Sequence, residues 1–147
     1  MWKFHRINII YLTIISAMLL ATGTEAHGQS MIGLTKDQVE QLVRYEFRDF
    51  HKDNMVVKQQ FNYLKFVDRS GNRTWIIYFT DKDICHTSKL VCDYSELDRT
   101  LEQLNAAYNK TGASSWEYIQ NSDTVLVELI RGEWYFTIRE GWKQRNF

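Results

Sequence analysis

The sequence predicts an α+β fold in which two helices pack on one face of an antiparallel sheet. Two stretches place apolar residues at helical spacing, and each opens with a helix-capping motif. Between and after them lie extended stretches rich in aromatic and β-branched residues, which are joined by short turns. Because short turns connect antiparallel neighbours, the predicted order of elements is α-βββ-α-βββ.

Residues 1–28 have the pattern of a secretory signal peptide. Lys3 and Arg6 precede an apolar run at residues 7–20, and small residues follow it. The run is shorter than the roughly 20 residues that a membrane-spanning helix needs. We expect cleavage after Ala26 or Gly28 and export to the periplasm or the medium. No cysteine lies near this site, so we expect no lipid anchor.

Residues 29–147 are then predicted to form a single exported α+β domain. The whole chain has 18 basic and 18 acidic residues, and loss of the signal peptide leaves a net charge of about −1. This balance provides no basic excess for nucleic acid or anionic lipid. We expect neither nucleic-acid binding nor stable membrane insertion of the mature chain.

Both helices are predicted from capping motifs and apolar stripes. Residues 35–38 have the form of a capping box, in which Thr35 accepts from a first-turn amide and Gln38 reaches back. A second Ser-x-x-acid cap at residues 95–98 begins the other helix, which ends among turn residues at 109–112. The first stripe is Val39, Leu42, Val43, Phe47 and Phe50, and the second is Leu97, Leu101, Leu104 and Tyr108.

Six strands are predicted, three after each helix. The first three are residues 61–67, 74–80 and 84–94, and the others are residues 116–120, 124–130 and 134–139. The segments Val39-Glu-Gln-Leu42 and Leu101-Glu-Gln-Leu104 recur in the two helices, and a glycine precedes a Trp-led strand in each half. A tandem αβββ duplication would explain these similarities. So would the frequency of Glu-Gln-Leu in helices and of glycine in hairpin turns.

Cys85 and Cys92 fall in one predicted strand. Along an extended strand their Cα atoms would stand about 23 Å apart, with the side chains on opposite faces. A disulfide needs about 4.4–6.8 Å between Cα atoms, and residues 86–89 contain no Gly, Asn or Asp to form a hairpin turn. We predict free, mostly buried thiols. One of them activated by the distant His51 would give a thiol enzyme.

Candidate metal ligands are few. Ligands on a single strand cannot converge on one ion, which argues against zinc at Cys85, His86, Cys92 and Asp93. Asp81 and Asp83 are typical of a solvated turn rather than of a calcium or magnesium site. Gly-rich phosphate-binding loops are absent from the sequence. We predict no metal and no cofactor.

Aromatic side chains are the remaining compositional excess. Alternation turns one face of each strand outward, and exposed Tyr and Trp suit the binding of a protein or a glycan. The alternative is that the helices cover one face, a curved sheet shields part of the other, and these rings belong to the core. The candidate binding residues are Trp75, Tyr78, Trp116, Tyr118, Trp134 and Tyr135.

The layout resembles small exported proteins of the Bacteroidota. The resemblance is carried by the opening Gly33-Leu-Thr35-Lys-Asp-Gln-Val39, the junction Val91-Cys-Asp93-Tyr94-Ser95 and the closing Trp-rich hairpin. It implies a plan similar to sheet-plus-helix inhibitor and periplasmic scaffold domains, and it implies no activity. The opening Gly-x-Thr-x-x-x-Val also looks like the start of small outer-membrane assembly lipoproteins, whose lipid-bearing cysteine this chain lacks.

The leading hypothesis is a non-enzymatic exported domain that binds a protein or glycan partner through its aromatic-rich sheet. The alternative is a small exported hydrolase or thiol enzyme that uses Cys85 or Cys92 with His51.

Overall fold

The computed structural model describes residues 30–54 and 61–144. The predicted signal peptide, residues 1–28, lies outside the described residues and stays a prediction. In the described part of the chain, no helix is both long enough and apolar enough to cross a bilayer.

The described residues form one antiparallel sheet of eight strands and two helices. Each helix is followed by four strands. The first half comprises α1 (Lys36–Glu46), β1 (Phe50–Lys52), β2 (Tyr63–Asp68), β3 (Arg73–Phe79) and β4 (Cys85–Asp93). A 3₁₀ turn (Tyr94–Glu96) leads to α2 (Leu97–Ala107), β5 (Asn109–Gly112), β6 (Ser115–Gln120), β7 (Asp123–Arg131) and β8 (Tyr135–Trp142). The strands lie in the order β1-β2-β3-β4-β8-β7-β6-β5.

The α+β class and the antiparallel sheet are confirmed, but the predicted order is short by one strand in each half. The two missed strands, β1 and β5, are the two edges of the sheet and contain three and four residues. Both were assigned to helix ends. Phe50 was placed on the first helical stripe, yet α1 ends at Glu46 and the backbone of Phe47 has left the helical region (φ −114°, ψ 55°).

One face of the sheet carries the core beneath both helices. In register, Trp75 of β3 pairs with Leu90 of β4, and Leu90 pairs with Ile138 of β8. Leu90 packs against both hydrophobic clusters, one containing Val39 of α1 and the other containing Leu104 of α2. Both helices therefore lie on this side, which we call the covered face. We call the other side the open face.

Of the two predicted helix caps, the one at Thr35 is confirmed and the one at Ser95 is wrong. Thr35 caps α1 through the predicted capping box: its hydroxyl accepts from Gln38 N (3.3 Å), and Gln38 Oε1 accepts from Thr35 N (2.9 Å). Ser95 does not cap α2, because the 3₁₀ turn precedes the helix. Asp93 caps that turn by accepting from Ser95 N (2.8 Å), and the residue before α2, Glu96, makes no side-chain cap.

A β-bulge changes the side to which Cys85 points. Tyr78 pairs with Thr87, but the next residue of β3, Phe79, pairs with Cys85. The extra residue turns Cys85 toward the covered face, where Cys92 also lies, so the prediction of opposite faces is wrong. The prediction of free, buried thiols is confirmed, with relative exposures of 0% for Cys85 and 1% for Cys92.

The segment before α1, residues 30–34, crosses toward the second half of the sheet, and we call it the strap. Its Gly33 N donates to Cys85 O (2.8 Å), and its Ile32 O accepts from Gln120 Nε2 of β6 (2.5 Å). Gly33 has a φ of +82°, and a Cβ there would lie 3.3 Å from the Trp142 ring. Glycine therefore permits both the left-handed turn and the close approach to β8.

Candidate functional site

The six predicted binding residues divide between the two sides of the sheet. Tyr78 and Tyr135 belong to the open face, and Trp134 lies in the turn before β8. The other three, Trp75, Trp116 and Tyr118, lie on the covered face. The sequence predicted the aromatic strands but could not tell which of their two faces the helices would cover.

Trp75 is a core residue beneath α1. Its side chain is 9% exposed, and its ring lies 5.0 Å from that of Phe47 and 5.5 Å from that of Phe50. Its indole Nε1 donates to the buried Ser88 Oγ (2.6 Å), which satisfies the polar edge of the ring. Trp75 is therefore unavailable to a partner in the folded protein, contrary to the prediction from sequence.

Trp116 has the corresponding role beneath α2. It is fully buried, and its Nε1 donates to Asn105 Oδ1 on the helix (2.9 Å). Tyr118, two residues along the same strand, is half-buried and stacks on Tyr108 with 4.8 Å between ring centroids. Neither side chain presents its ring on the open face.

Tyr78 is on the open face, where its ring is half-buried. Lys89 Nζ lies 5.3 Å from the centroid of this ring, and the Tyr63 ring lies 6.2 Å from it at a tilt of 44°. These contacts occupy part of the Tyr78 ring. Tyr78 therefore offers a partner less apolar surface than its position in the sequence suggested.

Three exposed apolar side chains lie where β7 ends and β8 begins, and we call them the hairpin patch: Ile130 of β7, Trp134 of the turn and Tyr135 of β8. Their relative exposures are 50%, 77% and 51%. Ile130 pairs with Thr137, and Tyr135 pairs with Asp93, so both face away from the covered core. Sequence reasoning missed Ile130. Its alternation with the buried Leu129 was the available signal, but it needed knowledge of which face is covered.

A side chain from outside the β7–β8 hairpin holds its turn in place. The hydroxyl of Tyr94 donates to Gly132 O (2.7 Å), and Gly132 N donates to Tyr135 O (2.8 Å). The Tyr94 ring also lies 5.8 Å from the ring of the buried Phe136. The turn that carries Trp134 is thus tied to the 3₁₀ turn before α2 and to the core.

Charged residues surround the hairpin patch without giving it a dominant sign. Arg131 is exposed at the end of β7, Glu133 is exposed in the turn, and Asp93 lies beside Tyr135. Deeper on the open face, Arg139 Nη2 and Glu128 Oε2 form an ion pair at 2.8 Å. An apolar centre with a polar, mixed-charge rim is the usual anatomy of a protein-binding surface.

The geometry gives no support to the thiol-enzyme alternative. His51 lies on β1 and pairs with Val67 of the open face, whereas Cys85 and Cys92 point into the covered face. Strands β1 and β4 are three spacings apart, about 14 Å. Burial, followed by the Glu140 charge, raises the pKa of Cys85 to about 12. Burial likewise raises the pKa of Cys92 to about 12.

The described residues contain no group of three or more His, Cys, Asp and Glu side chains placed to hold a metal ion. Asp83 Oδ1 instead accepts from Asn62 Nδ2 (2.6 Å), and Asp81 is exposed in the same turn. The nearest partner of His86 is Thr87 Oγ1, 2.9 Å from its Nδ1. These contacts match the interpretation of Asp81 and Asp83 as turn residues.

Comparison with known proteins gives no further assignment. No protein-family model, curated protein or solved structure matches this chain. The functional argument therefore depends on the geometry of the chain itself.

Proposed function

We propose that this chain is a non-enzymatic exported domain that binds a protein partner through the hairpin patch. The observation that carries the proposal is Trp134, which is 77% exposed on a turn that Tyr94 ties to the rest of the fold. Tryptophan and tyrosine dominate binding energy at protein interfaces. A ring held on an ordered turn also loses little conformational freedom when a partner binds.

A protein partner fits the hairpin patch better than a glycan. Ile130 is 50% exposed and has no polar atom in its side chain to pair with sugar hydroxyls. The ring pair that would suit a sugar, Tyr63 with Tyr78, is tilted by 44° and lies beside Lys89 instead of forming a flat platform. Mixed aliphatic and aromatic surface with a charged rim is typical of protein interfaces.

We also propose that the mature domain is exported. The support is the pattern of residues 1–28, with basic residues, an apolar run and small residues in that order. N-terminal sequencing of the protein recovered outside the cytoplasm tests this proposal. A new N-terminus at His27 or Gln29 is expected, and an intact Met1 in that fraction would contradict it.

We infer that the two halves of the sheet arose by tandem duplication of an α-ββββ unit. The support is the matching order of elements and the central pairing of β4 with β8, which places the halves side by side with opposite strand order. The recurring Glu-Gln-Leu lies in both helices. Comparison of the two halves across related sequences tests the idea, because a duplication predicts similarity at equivalent core positions.

Site-specific photo-crosslinking tests the binding proposal. A photoreactive phenylalanine analogue replaces Glu133, which is exposed beside Trp134, in one variant and Tyr45 in another, because Tyr45 is exposed at 62% but lies on α1. Each variant is irradiated with the cell-envelope and medium fractions of the native host. We expect a discrete protein adduct at position 133 that excess wild-type domain abolishes, and no such adduct at position 45.

The competitor distinguishes a true site from chance proximity. Unlabelled Trp134→Ala is expected to compete at least about 30-fold less well than wild type, since a central aromatic contact contributes about 2 kcal/mol or more. Equal competition by this variant would overturn the proposal. Adducts with polysaccharide alone would instead identify a glycan as the partner and overturn the choice of a protein.

A further inference from the structure

The strap meets the second half of the sheet at a cluster of polar groups on the covered face. The hydroxyl of Tyr118 hydrogen-bonds to Ser30 Oγ and lies 3.3 Å from Glu140 Oε2. Tyr118 also stacks on Tyr108, which follows α2. One hydroxyl group therefore joins the strap to a carboxyl group of β8.

The strap makes few other contacts with the second half of the sheet. Ile32 O accepts from Gln120 Nε2, and Gly33 lies against the Trp142 ring. Met31 and Ile32 are buried, with relative exposures of 1% and 0%. The strap is thus packed into the core without being a strand of the sheet, so it can separate from β6 and β8 while the ladders of those strands remain intact.

Three titratable groups near Glu140 are neutral near pH 7: Cys85 of β4, Tyr108 after α2 and Tyr118 of β6. Burial, followed by the Glu140 charge, raises the pKa of each. The neighbouring positions in register are Ser88 of β4 and Val127 of β7, and neither titrates.

Charged residues on the surrounding elements are engaged elsewhere. In α1, Lys36 donates to Asn62 and Glu40 pairs with Lys52. Arg139 of β8 pairs with Glu128 on the open face. Among the described residues, no cation influences the pKa of Glu140.

Glu140 is the group in this cluster that changes charge near neutral pH. Burial raises the pKa of Glu140 from its ordinary value of 4.5 to about 7, and the Tyr118 hydrogen bond offsets part of that rise. The folded state therefore favours the neutral carboxyl. The resulting stabilisation is fully present below pH 4.5 and is lost as the pH rises through about 7.

We propose that Ser30, Tyr118 and Glu140 form a pH-sensitive latch, which holds the strap closed while Glu140 is neutral and loosens it when Glu140 ionises. Among the described residues no cation influences the half-buried Glu140, so its ionised carboxylate is stabilised by further contact with water. Displacement of residues 30–32 from β6 and β8 admits that water, while backbone hydrogen bonds of Gly33 and Leu34 to Cys85 hold the other end of the strap to β4. The latch lies on the covered face and is independent of the proposed binding function.

Hydrogen exchange of the strap tests the latch. Exchange of residues 30–34 in the full domain is measured by mass spectrometry at pH 5.5 and pH 8.5, with correction for the intrinsic effect of pH on exchange. We expect the protection of the strap to fall about 10- to 30-fold between these conditions, as linkage gives for a carboxyl pKa of about 7 when closed and about 4.5 when open. Protection in β7 should change far less.

Two variants and one control separate the latch from general destabilisation. Glu140→Gln is expected to abolish the pH dependence, whereas Glu128→Gln, which removes a carboxylate from the open face, should keep it. If Glu140→Gln does not fold, Tyr118→Phe provides a second test, because it removes the hydrogen bond that lowers the pKa of Glu140. The fall in strap protection should then move to a higher pH than in the wild type.

Three results would overturn the latch. The first is equal strap protection at both pH values in the wild type. The second is a pH dependence that persists in the folded Glu140→Gln variant, or one that does not move to higher pH in Tyr118→Phe. The third is a loss of protection that is as large in β7 as in the strap, because that would indicate unfolding of the whole domain.

Discussion

Each buried tryptophan beneath a helix has one polar side-chain acceptor for its indole N–H: Ser88 for Trp75 and Asn105 for Trp116. Ser88 is 2% exposed, and its hydroxyl accepts from the indole Nε1 of Trp75 at 2.6 Å. Serine at this position looks like an ordinary strand residue in the sequence. Its role becomes visible only when β3 and β4 are paired.

Ser88→Ala is expected to destabilise the fold by about 1–3 kcal/mol, because it leaves the indole N–H of Trp75 buried without an acceptor. Urea denaturation measures the change. The control is Ser114→Ala, an exposed turn residue, for which a change within about 0.5 kcal/mol is expected. Equal effects of the two substitutions would show that the Trp75 contact contributes nothing to stability.

The two thiols should be inert in the folded protein. Burial raises the pKa of both Cys85 and Cys92 to about 12, so the thiolate that reacts with a maleimide is scarce and shielded at pH 7.5. We expect labelling of the native domain to be at least about 100-fold slower than labelling in urea. A thiol that reacts rapidly in the native domain would revive the thiol-enzyme alternative.

At the scale of elements, substitutions in α2 test whether one face of this helix packs on the covered face of the sheet. Leu104 is 7% exposed and contacts the second cluster, Leu101 is half-buried, and Glu102 and Gln103 face water. Leu104→Ala should cost about 2–5 kcal/mol, and Leu101→Ala should cost less. Glu102→Ala and Gln103→Ala should stay within about 0.5 kcal/mol.

The ranking of these four variants in urea matters more than the absolute values. If Gln103→Ala proved as damaging as Leu104→Ala, α2 would be buried on all sides. The assignment of one face of the sheet to the helices would then fail.

Local patterns predicted the helices and the six long strands, because periodicity and capping are encoded within one segment. The edge strands β1 and β5 escaped prediction, since strands of three and four residues are too short to show alternation and gain their order from a neighbour. The bulge beside Cys85 is likewise a property of the β3–β4 pairing. No single segment encodes it.

Half of the predicted site residues proved to be core for a related reason. In β3, the residues Trp75, Ile77 and Phe79 alternate with Ile76 and Tyr78, so both faces of the strand carry large apolar side chains. Period-two alternation then cannot say which set the helices cover. Only the positions of α1 and α2 show that the tryptophan side of β3 is buried.

At the scale of the whole molecule, the proposed export depends on the apolar run at residues 7–20. Leu19→Arg should trap the precursor in the cytoplasm, because a charged residue in a short apolar segment costs about 2.5–3.5 kcal/mol on insertion scales. Fractionation followed by immunoblotting measures the distribution. Normal export of this variant would refute the signal-peptide assignment.

The two faces of the sheet have different roles in this account: one stabilises the fold and the other is proposed to bind a partner. The covered face holds the core, both buried thiols and the proposed latch, whereas the open face and its hairpin present Ile130, Trp134 and Tyr135 to solvent. Substitutions in the hairpin patch should therefore change binding without changing folding.

The affinity of the crosslinked protein partner for Trp134→Ala tests this division most directly. Calorimetric titration should show binding at least about 30-fold weaker than that of wild type, with an unchanged midpoint of urea unfolding. Tyr45→Ala, at a similarly exposed position on α1, should bind within about twofold of wild type. Wild-type affinity of Trp134→Ala, or an equal loss in Tyr45→Ala, would contradict the claim that the hairpin patch is the binding site.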